Sequence, residues 1–353
     1  MRKESVDFLR ELVTTPSPSG SEERIQAVCR KYVEKHVDSV YKDVHGNQYA
    51  VKNPDGKLRI MLAGHVDEIG LMVNHIDDKG FISFVTVGGV DTAILGGQRV
   101  LIHTAKGEVP GVIGRTAIHL TEPEDRGKAL KVHQMWIDIG AKNKKDAEKV
   151  VAVGDSITVD AGYLELRDDK VAARAFDDRV GAFVIIEAMR LLEKKKLNDI
   201  AVFCVTTVQE ELGLRGAITS SYGCNPHAGI AVDVDHAIDY PTADIKRYGD
   251  LKIGDGPIIA KGPNINPVIF RQLTDTAKNK DIPYQVAAEP KATGTDANAM
   301  QLSRGGTATG LVSIPNRYMH SPVELISIKD AENAAKLIAE WIGGLKAGVS
   351  FIP

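Results

Sequence analysis

Cysteine is scarce in this sequence: only Cys29, Cys204 and Cys224 occur among its 353 residues. Their number is odd and none forms a CxxC pair, which argues against a disulfide framework and favours a reducing compartment. Cys204 lies inside the apolar run at 200–205, where a small buried hydrophobic residue is the simplest interpretation. The pattern therefore predicts an intracellular protein without disulfides.

Long apolar stretches and an excess of charge of one sign are also absent. No segment approaches the ~20 apolar residues that span a bilayer. The N-terminus, Met1–Ser5, leads into a charged amphipathic pattern rather than a signal sequence. A net charge of -3 gives no reason to expect nucleic acid or an anionic membrane as a partner. We therefore expect a soluble, cytoplasmic protein that binds neither.

What is present suits a folded chain of two domains. The apolar fraction is 43% and the charged fraction 26%, both normal for globular proteins, and the length exceeds one ordinary small domain. From about Gly70 to Gly162 short alternating runs are separated by glycine, which is typical of a small, mostly β domain. The sequence therefore predicts an inserted β-barrel-like domain at 70–162 within a domain formed by 1–69 and 163–353.

The flanking segments alternate between strands and helices. Such alternation indicates an α/β fold with a mainly parallel sheet flanked by helices. The spacing predicts helices at 3–14, after Ser21, from Asp177, after Gly213, near 267–280 and from Lys329, and strands at 57–64, 200–208, 229–234, 284–288 and 309–314.

Charged and imidazole side chains cluster where these predicted strands end or the following loops begin, which is where ligands of parallel sheets bind. The clusters are His65–Glu68, Asp177–Arg179, Glu210–Glu211, Asp233–Asp235 and His320. Taken singly, a histidine is more often structural and adjacent acids usually form a solvated face. Together they would crowd like charges, which is costly unless cations neutralise them.

The residue types favour divalent metal. Imidazole and carboxylate ligands suit Zn²⁺, Co²⁺ or Mn²⁺. A site for two metals ~3.5–4 Å apart needs a carboxylate that bridges them. Asp67, two residues after His65, could hold the second ring nitrogen of that histidine.

Six motifs occur in an order that points to a known family. They are GHVDEIG, AFDDRVG, TTVQEELGLRGA, AVDVDHAIDYP, TGTDANAMQ and IPNRYMHSPVE. This series resembles that of the M42 family of metallopeptidases, which includes glutamyl, leucyl and lysyl aminopeptidases and the tetrahedral (TET) particles. The resemblance runs from the first helix to the last and implies the co-catalytic zinc peptidase type of fold.

The resemblance also implies roles for individual residues. The metal ligands would be His65 and His320 as terminal imidazoles, Asp177 as the bridging carboxylate, and Glu211 and Asp233. Glu210 would be the general base and Asp67 the residue that orients His65. Family members commonly have asparagine in the place of Asp178, which is therefore not assigned as a ligand.

By the same resemblance the protein would carry two divalent ions per subunit, Zn²⁺ or Co²⁺ with Mn²⁺ possible. It would remove N-terminal residues from short peptides. The inserted domain would mediate dimerisation, and dimers would form a homododecamer.

Further segments have two interpretations each. Residues 293–298 would line the substrate pocket or form an ordinary turn. Gly88–Asp91 and His119 would reach a neighbouring subunit's site, or be a β-turn and a surface histidine. Residues 123–133 are interpreted as a polar loop.

Rival functions also stay open. They are a metal-dependent deacylase or carboxypeptidase of related fold, a glycoside hydrolase that needs only two carboxylates, and an assembly protein that uses metal structurally. A chelator would separate the glycosidase from the others.

Overall fold

The computed structural model describes residues 1–128, 130–346 and 348–353. The helices are Lys3–Thr14 (α1), Glu23–Val33 (α2), Lys144–Ala147 (α3), Phe176–Leu192 (α4), Arg215–Cys224 (α5), Ile245–Tyr248 (α6), Pro267–Asn279 (α7), Asp296–Gln301 (α8) and Ile328–Gly344 (α9). Short 3-10 helices run over Thr92–Ile94, Ile118–Leu120, Pro123–Asp125, Val132–Gln134 and Glu210–Leu212.

The strands fall into three sheets. In chain order they are Ser39–Lys42 (β1), Gln48–Lys52 (β2), Leu58–His65 (β3), Gly70–Ile76 (β4), Ile82–Val87 (β5), Arg99–Thr104 (β6), Gly107–Gly114 (β7), Trp136–Asp138 (β8), Ser156–Val159 (β9), Leu164–Glu165 (β10), Lys170–Ala173 (β11), Ile200–Thr207 (β12), Ala228–His236 (β13), Ile258–Lys261 (β14), Gln285–Ala288 (β15), Ala308–Asn316 (β16) and Glu324–Ser327 (β17).

The central sheet has the order β1-β2-β12-β3-β13-β16-β14-β15. Its inner strands β12, β3, β13 and β16 are parallel to one another. Towards the edges β1 and β2 pair in antiparallel fashion, β2 is antiparallel to β12, and β14 to β16. The α/β fold is confirmed, and the sheet is parallel at its centre and mixed at its edges.

Side chains of the inner strands alternate between two cores, which explains their continuous apolar character. On β3, Ile60 and Leu62 pack into the core that α1, α4 and α9 cover. Met61 and Ala63 of the same strand face the opposite core, which contains Ala297 and Met300 of α8. Helices on both faces therefore hold the carboxyl ends of these strands in fixed positions.

The predicted inserted barrel is present. Strands β4 to β9 close in the order β4-β5-β8-β7-β6-β9 around a separate apolar core that includes Leu71, Ile82, Val100 and Ile137. The barrel begins five residues after His65, so its first strand leaves directly from the carboxyl end of β3.

A smaller sheet of order β10-β11-β17 lies beside the central sheet. Neither this sheet nor the β1–β2 hairpin was predicted, because their strands are short and several are largely exposed. Among the described residues, no helix combines the length and the apolar character needed to cross a bilayer.

Candidate metal centre

The structure brings the residues singled out from the sequence to the carboxyl ends of the central strands. His65 is the last residue of β3, and Asp233 lies near the end of β13. Asp177 stands at the start of α4, where it and Asp178 have non-helical backbone angles. His320 belongs to the loop between β16 and β17.

Asp177 lies between the two imidazoles. Its Oδ1 is 3.2 Å from His65 Nε2, and its Oδ2 is 3.2 Å from His320 Nε2. Each oxygen of this one carboxylate therefore faces a different histidine. The spacing suits a carboxylate shared by two cations.

Potential ligand atoms gather in overlapping groups around Asp177. In each group the atoms lie within 4.8 Å of one another: Asp177, Glu211 and His320; His65, Asp178 and Asp233; and His65, Glu210 and Glu211. Glu211 Oε1 is 3.3 Å from His320 Nε2. Either end of the centre thus offers one imidazole and at least one carboxylate in addition to Asp177.

Asp178 is held by the backbone. Its Oδ2 accepts from the His65 amide at 3.2 Å and its Oδ1 from the Gly181 amide at 3.0 Å. A Cβ at Gly181 would lie 2.3 Å from both carboxylate oxygens, so only glycine permits this approach. Asp178 thereby ties the start of α4 to the end of β3.

Asp67 organises several residues at once. Its Oδ1 accepts from the Glu210 amide at 3.0 Å, and its Oδ2 from the Glu211 amide at 3.2 Å and from Ser19 Oγ at 2.6 Å. Oδ1 also lies 3.4 Å from His65 Nδ1, which is 3.1 Å from the Asp67 carbonyl oxygen. Burial works to raise the pKa of Asp67, but these partners, His65 first, hold it below the ordinary value.

Glu210 and Glu211 lie in a turn that follows strand β12 and not in the strand itself. They form the 3-10 helix Glu210–Leu212, which follows Gln209 at a positive φ of 53°. The Asp67 carboxylate captures both backbone amides, and this favours a tight turn over an extended strand end. Glu210 Oε2 is then 3.7 Å from His65 Nε2.

Buried negative charge dominates the centre. Burial raises the pKa of Glu210 to about 10, although His65 opposes it. Burial also raises the pKa of Asp233, and the Asp177 charge adds to it. Hydrogen bonds that the His320 ring donates to Asp177 and then to Glu211 raise the pKa of His320 to about 11. Without metal, these side chains therefore keep protons that offset the buried negative charge. Divalent cations would supply that positive charge instead, and the imidazole and carboxylate ligands suit such ions.

Glu68 belongs to a different arrangement, although it follows Asp67 directly. It accepts from the buried Arg179 at 2.6 Å and also pairs with Arg174. The two guanidinium groups neutralise it, and they outweigh burial to hold its pKa below the ordinary value. This acid is satisfied without metal.

The loop at 88–91 reaches the centre of its own chain. The Gly89 carbonyl oxygen is 2.8 Å from His320 Nδ1, so Nδ1 donates to it and Nε2 faces Asp177. Gly88 packs beside Glu211.

His119 is exposed in the 3-10 helix Ile118–Leu120. In the predicted 123–133 loop, the described residues form two short 3-10 helices.

Two buried acids of the region, Glu324 and Asp296, were not given a role of their own from the sequence, although Asp296 lies in the segment 293–298. Glu324 accepts from the backbone amides of Asp177 and His320, both at 2.9 Å. Asp296 accepts from Thr207 Oγ1 at 2.6 Å, and its Oδ1 has no partner among the described residues. Residues 293–298 thus lead into helix α8 rather than form only a turn. Both acids lie in the quoted motifs, TGTDANAMQ and IPNRYMHSPVE, which were their only signal.

Residues 46–337 match the family described as M42 glutamyl aminopeptidase. The chain belongs to the M42 peptidase family. This M42 chain is 36% identical over 343 residues to the lysyl aminopeptidase of Pyrococcus furiosus, which covers 96% of the chain and 97% of that relative. The predicted class, a peptide hydrolase of the aminopeptidase type, is confirmed.

Solved structures agree with the family. The TET aminopeptidase of a marine sediment thaumarchaeon has a TM-score of 0.92 at 34% identity, over 98% of this M42 chain and 97% of that one. The Pyrococcus horikoshii TET1 peptidase, which can assemble into a tetrahedron or a large octahedral shell, has a TM-score of 0.86 at 32% identity, over 97% and 100%. M42 peptidases are metal-dependent, and the grouped side chains could bind metal.

One similar structure carries a different activity in its description. It is an endoglucanase from Thermotoga maritima, with a TM-score of 0.76 at 31% identity, over 95% of this chain and 96% of that one.

Proposed function

We propose that this M42 peptidase holds two divalent ions, Zn²⁺ or Co²⁺ with Mn²⁺ as an alternative, and removes N-terminal residues from short peptides. The main support for this proposal is the position of Asp177, because each of its two carboxylate oxygens lies 3.2 Å from a different imidazole. We name the set His65, Asp177 and Asp233 the His65 half, and the set His320, Asp177 and Glu211 the His320 half. Asp177 belongs to both as the bridging ligand.

Bound divalent ions would lower the pKa of water and polarise the scissile carbonyl. Glu210 moves the proton. Its backbone amide is fixed by Asp67, and its carboxylate reaches within 3.7 Å of His65. Burial raises the pKa of Glu210 and makes its carboxylate a stronger base, while bound cations would keep it ionised, so that it could take a proton from the attacking water and give it to the leaving amine. Asp67 orients His65 and fixes the Glu210–Glu211 turn.

A small cavity beside the His320 half offers a candidate substrate pocket. Its volume is about 50 Å³, and apolar side chains such as Ile69, Leu71 and Val90 form much of its wall together with Asp177 and His320. Its size and apolar wall suit one small apolar side chain. We assign it to a substrate residue next to the scissile bond.

Glu210→Gln tests the assigned mechanism. Two ions should remain bound, because Glu210 is not assigned as a ligand, while kcat/KM on a peptide substrate should fall about 10²–10⁴-fold. Metal content by elemental analysis and hydrolysis of aminoacyl chromogenic substrates with Zn²⁺, Co²⁺ and Mn²⁺ are the measurements. Glu148→Gln, which changes an exposed glutamate of the inserted segment, is the matched control. Unchanged hydrolysis by the Glu210 variant would refute its role.

The similarity to a described endoglucanase favours testing one second function, glycoside hydrolysis. Two carboxylates suffice for that chemistry, and it would leave His65 and His320 without a role. A chelator should abolish peptide hydrolysis and would spare a metal-independent glycosidase. Acyl-blocked peptides distinguish a deacylase in the same assay, since an aminopeptidase requires the free amine.

We also propose self-association through the barrel-containing segment 70–162, with dimers that build a homododecamer in the cytoplasm. Support comes from the shells of the similar TET1 peptidase and from exposed apolar side chains of the segment, among them Val85, Val112 and Leu120. Light scattering on the purified chain measures the mass. A monomer at all concentrations would reject the assembly.

A further inference from the structure

Glu324 joins the two segments that carry Asp177 and His320. It is the first residue of β17, and only 2% of its surface is exposed. Its Oε2 accepts from the Asp177 amide at 2.9 Å, and its Oε1 accepts from the His320 amide at 2.9 Å. Each carboxylate oxygen therefore fixes the backbone of a different proposed ligand.

The sheet around Glu324 gives this contact a firm base. β17 pairs with β11 in antiparallel register, with Glu324 opposite Ala173. β11 ends four residues before Asp177, and β17 begins four residues after His320. The β11–β17 pairing thus brings both ligand segments together, and the Glu324 carboxylate spans the remaining gap.

The backbone conformation of His320 needs support. Its φ of 61° is a left-handed conformation that costs about 1–3 kcal/mol for a residue other than glycine. Asp177, at φ -76° and ψ 107°, has an ordinary extended conformation. A left-handed conformation persists where surrounding groups determine it, and Glu324 accepts the amide hydrogen of both residues.

We propose that Glu324 is the positioning residue of the His320 half, and that it fixes Asp177 and His320 in a binding-competent arrangement before metal enters. The inference rests on the proposed function, because it assumes that these residues bind an ion. Glu324 holds two ligands of the His320 half and one of the His65 half. Its loss should therefore weaken the His320 half more.

Glu324→Gln tests the proposal, because it keeps the shape and turns one acceptor into an NH₂ group that faces a backbone donor. Metal-free protein is dialysed against Zn²⁺ buffered by a competing chelator, and bound zinc is measured by elemental analysis. His320→Ala, in the same experiment, identifies which binding step belongs to the His320 half. Glu324→Gln should weaken that step about 10–100-fold and the other step less.

Asp330→Asn is the matched control. Asp330 is also a buried carboxylate that accepts two backbone amides, those of Gly254 at 2.7 Å and Gly256 at 2.9 Å. It fixes a loop that carries no proposed ligand, so both zinc steps should stay unchanged even where stability falls. Rescue of the weakened step by Glu324→Asp is expected to be partial, because the shorter carboxylate reaches one amide.

The outcomes separate the two claims. If wild type binds two zinc ions and Glu324→Gln binds both with unchanged affinity, the role of Glu324 is overturned while the proposed function stands. Equal weakening by Asp330→Asn would also overturn it, because general destabilisation would then be the cause. A wild-type chain that binds none of Zn²⁺, Co²⁺ and Mn²⁺ would remove the proposed function itself.

Discussion

The two halves of the proposed centre are built in different ways. His65 and Asp233 stand on neighbouring strands of the central sheet, and the His65 side chain is 2% exposed. His320 and Glu211 stand on a loop and a 3-10 turn, and the His320 side chain is 33% exposed. One half is supported by the core of the fold, the other by hydrogen bonds that its residues donate to Glu324, Asp67 and the Gly89 carbonyl. We therefore expect tighter and slower-exchanging metal in the His65 half.

The largest expected effect comes from removing a ligand of either half. His65→Ala and His320→Ala should each lower kcat/KM by about 10³-fold, since a metal contributes several kcal/mol to the transition state. Zinc titration separates them: His320→Ala should retain one tight ion, whereas His65→Ala should lose the tighter step. If His65→Ala and His320→Ala retained zinc with the same affinity, the expected difference between the two halves would be wrong.

Asp67→Asn should have the next largest effect, because Asp67 serves both halves. An asparagine retains one acceptor for the Glu210 and Glu211 amides and places an NH₂ group where the other oxygen accepts. We expect a loss of about 10–100-fold in metal affinity at both steps, measured by the same dialysis. An effect confined to one step would show that Asp67 supports only that half.

Gly89→Ala should affect the His320 half and leave the His65 half unchanged. The new Cβ would lie 3.0 Å from His320 Nδ1 and 3.1 Å from Cε1, so the ring must shift by a few tenths of an ångström. The zinc step of the His320 half should weaken by a factor of about three to ten, less than the roughly 10–100-fold loss typical when a supporting partner is removed, because the Gly89 carbonyl remains. Gly305→Ala, where an added Cβ meets no atom within 4 Å, is the control.

The smallest expected effect concerns the base of the His320 loop. Arg317 pairs with Asp239 at 2.8 and 2.6 Å, and this pair outweighs burial to lower the pKa of Asp239. A lowered pKa means that the carboxylate stabilises the fold above the unfolded-state value near 3.9 and loses this contribution as pH falls through the folded value. Asp239→Asn should therefore destabilise by about 1 kcal/mol at pH 6 and by less at pH 3, in urea unfolding.

The residues of the His65 half, which lie on strands, could be predicted from the sequence better than the contacts that support the His320 half. His65 and Asp233 follow long apolar runs, and the strand-end rule finds such residues without further information. Glu324 and Gly89 act through backbone amides and a backbone carbonyl, across 147 and 231 residues of chain. No spacing or residue pattern signals such a contact. The turn at Glu210 likewise depends on the distant Asp67 side chain, which no local pattern indicates.

Short strands explain what was missed in the fold. β1 and β10 are mostly exposed, and two-residue β10 has no room for alternation. The long buried strands, helix α1 and the start of helix α9 were predicted within one or two residues of their observed bounds. The α/β class followed from them, and the inserted barrel followed from the short alternating runs between 70 and 162.

Through Gly89, the inserted segment contacts a proposed metal ligand directly, so its role extends beyond subunit association. Two short connections, at 66–69 and 160–163, join it to the rest of the chain. A tilt of the barrel about these connections would carry the Gly89 carbonyl away from His320 Nδ1 and let the ring turn. Subunit contacts that set the tilt would thereby set the rate of peptide cleavage, so a dissociated chain should turn over more slowly than an assembled one at equal metal loading.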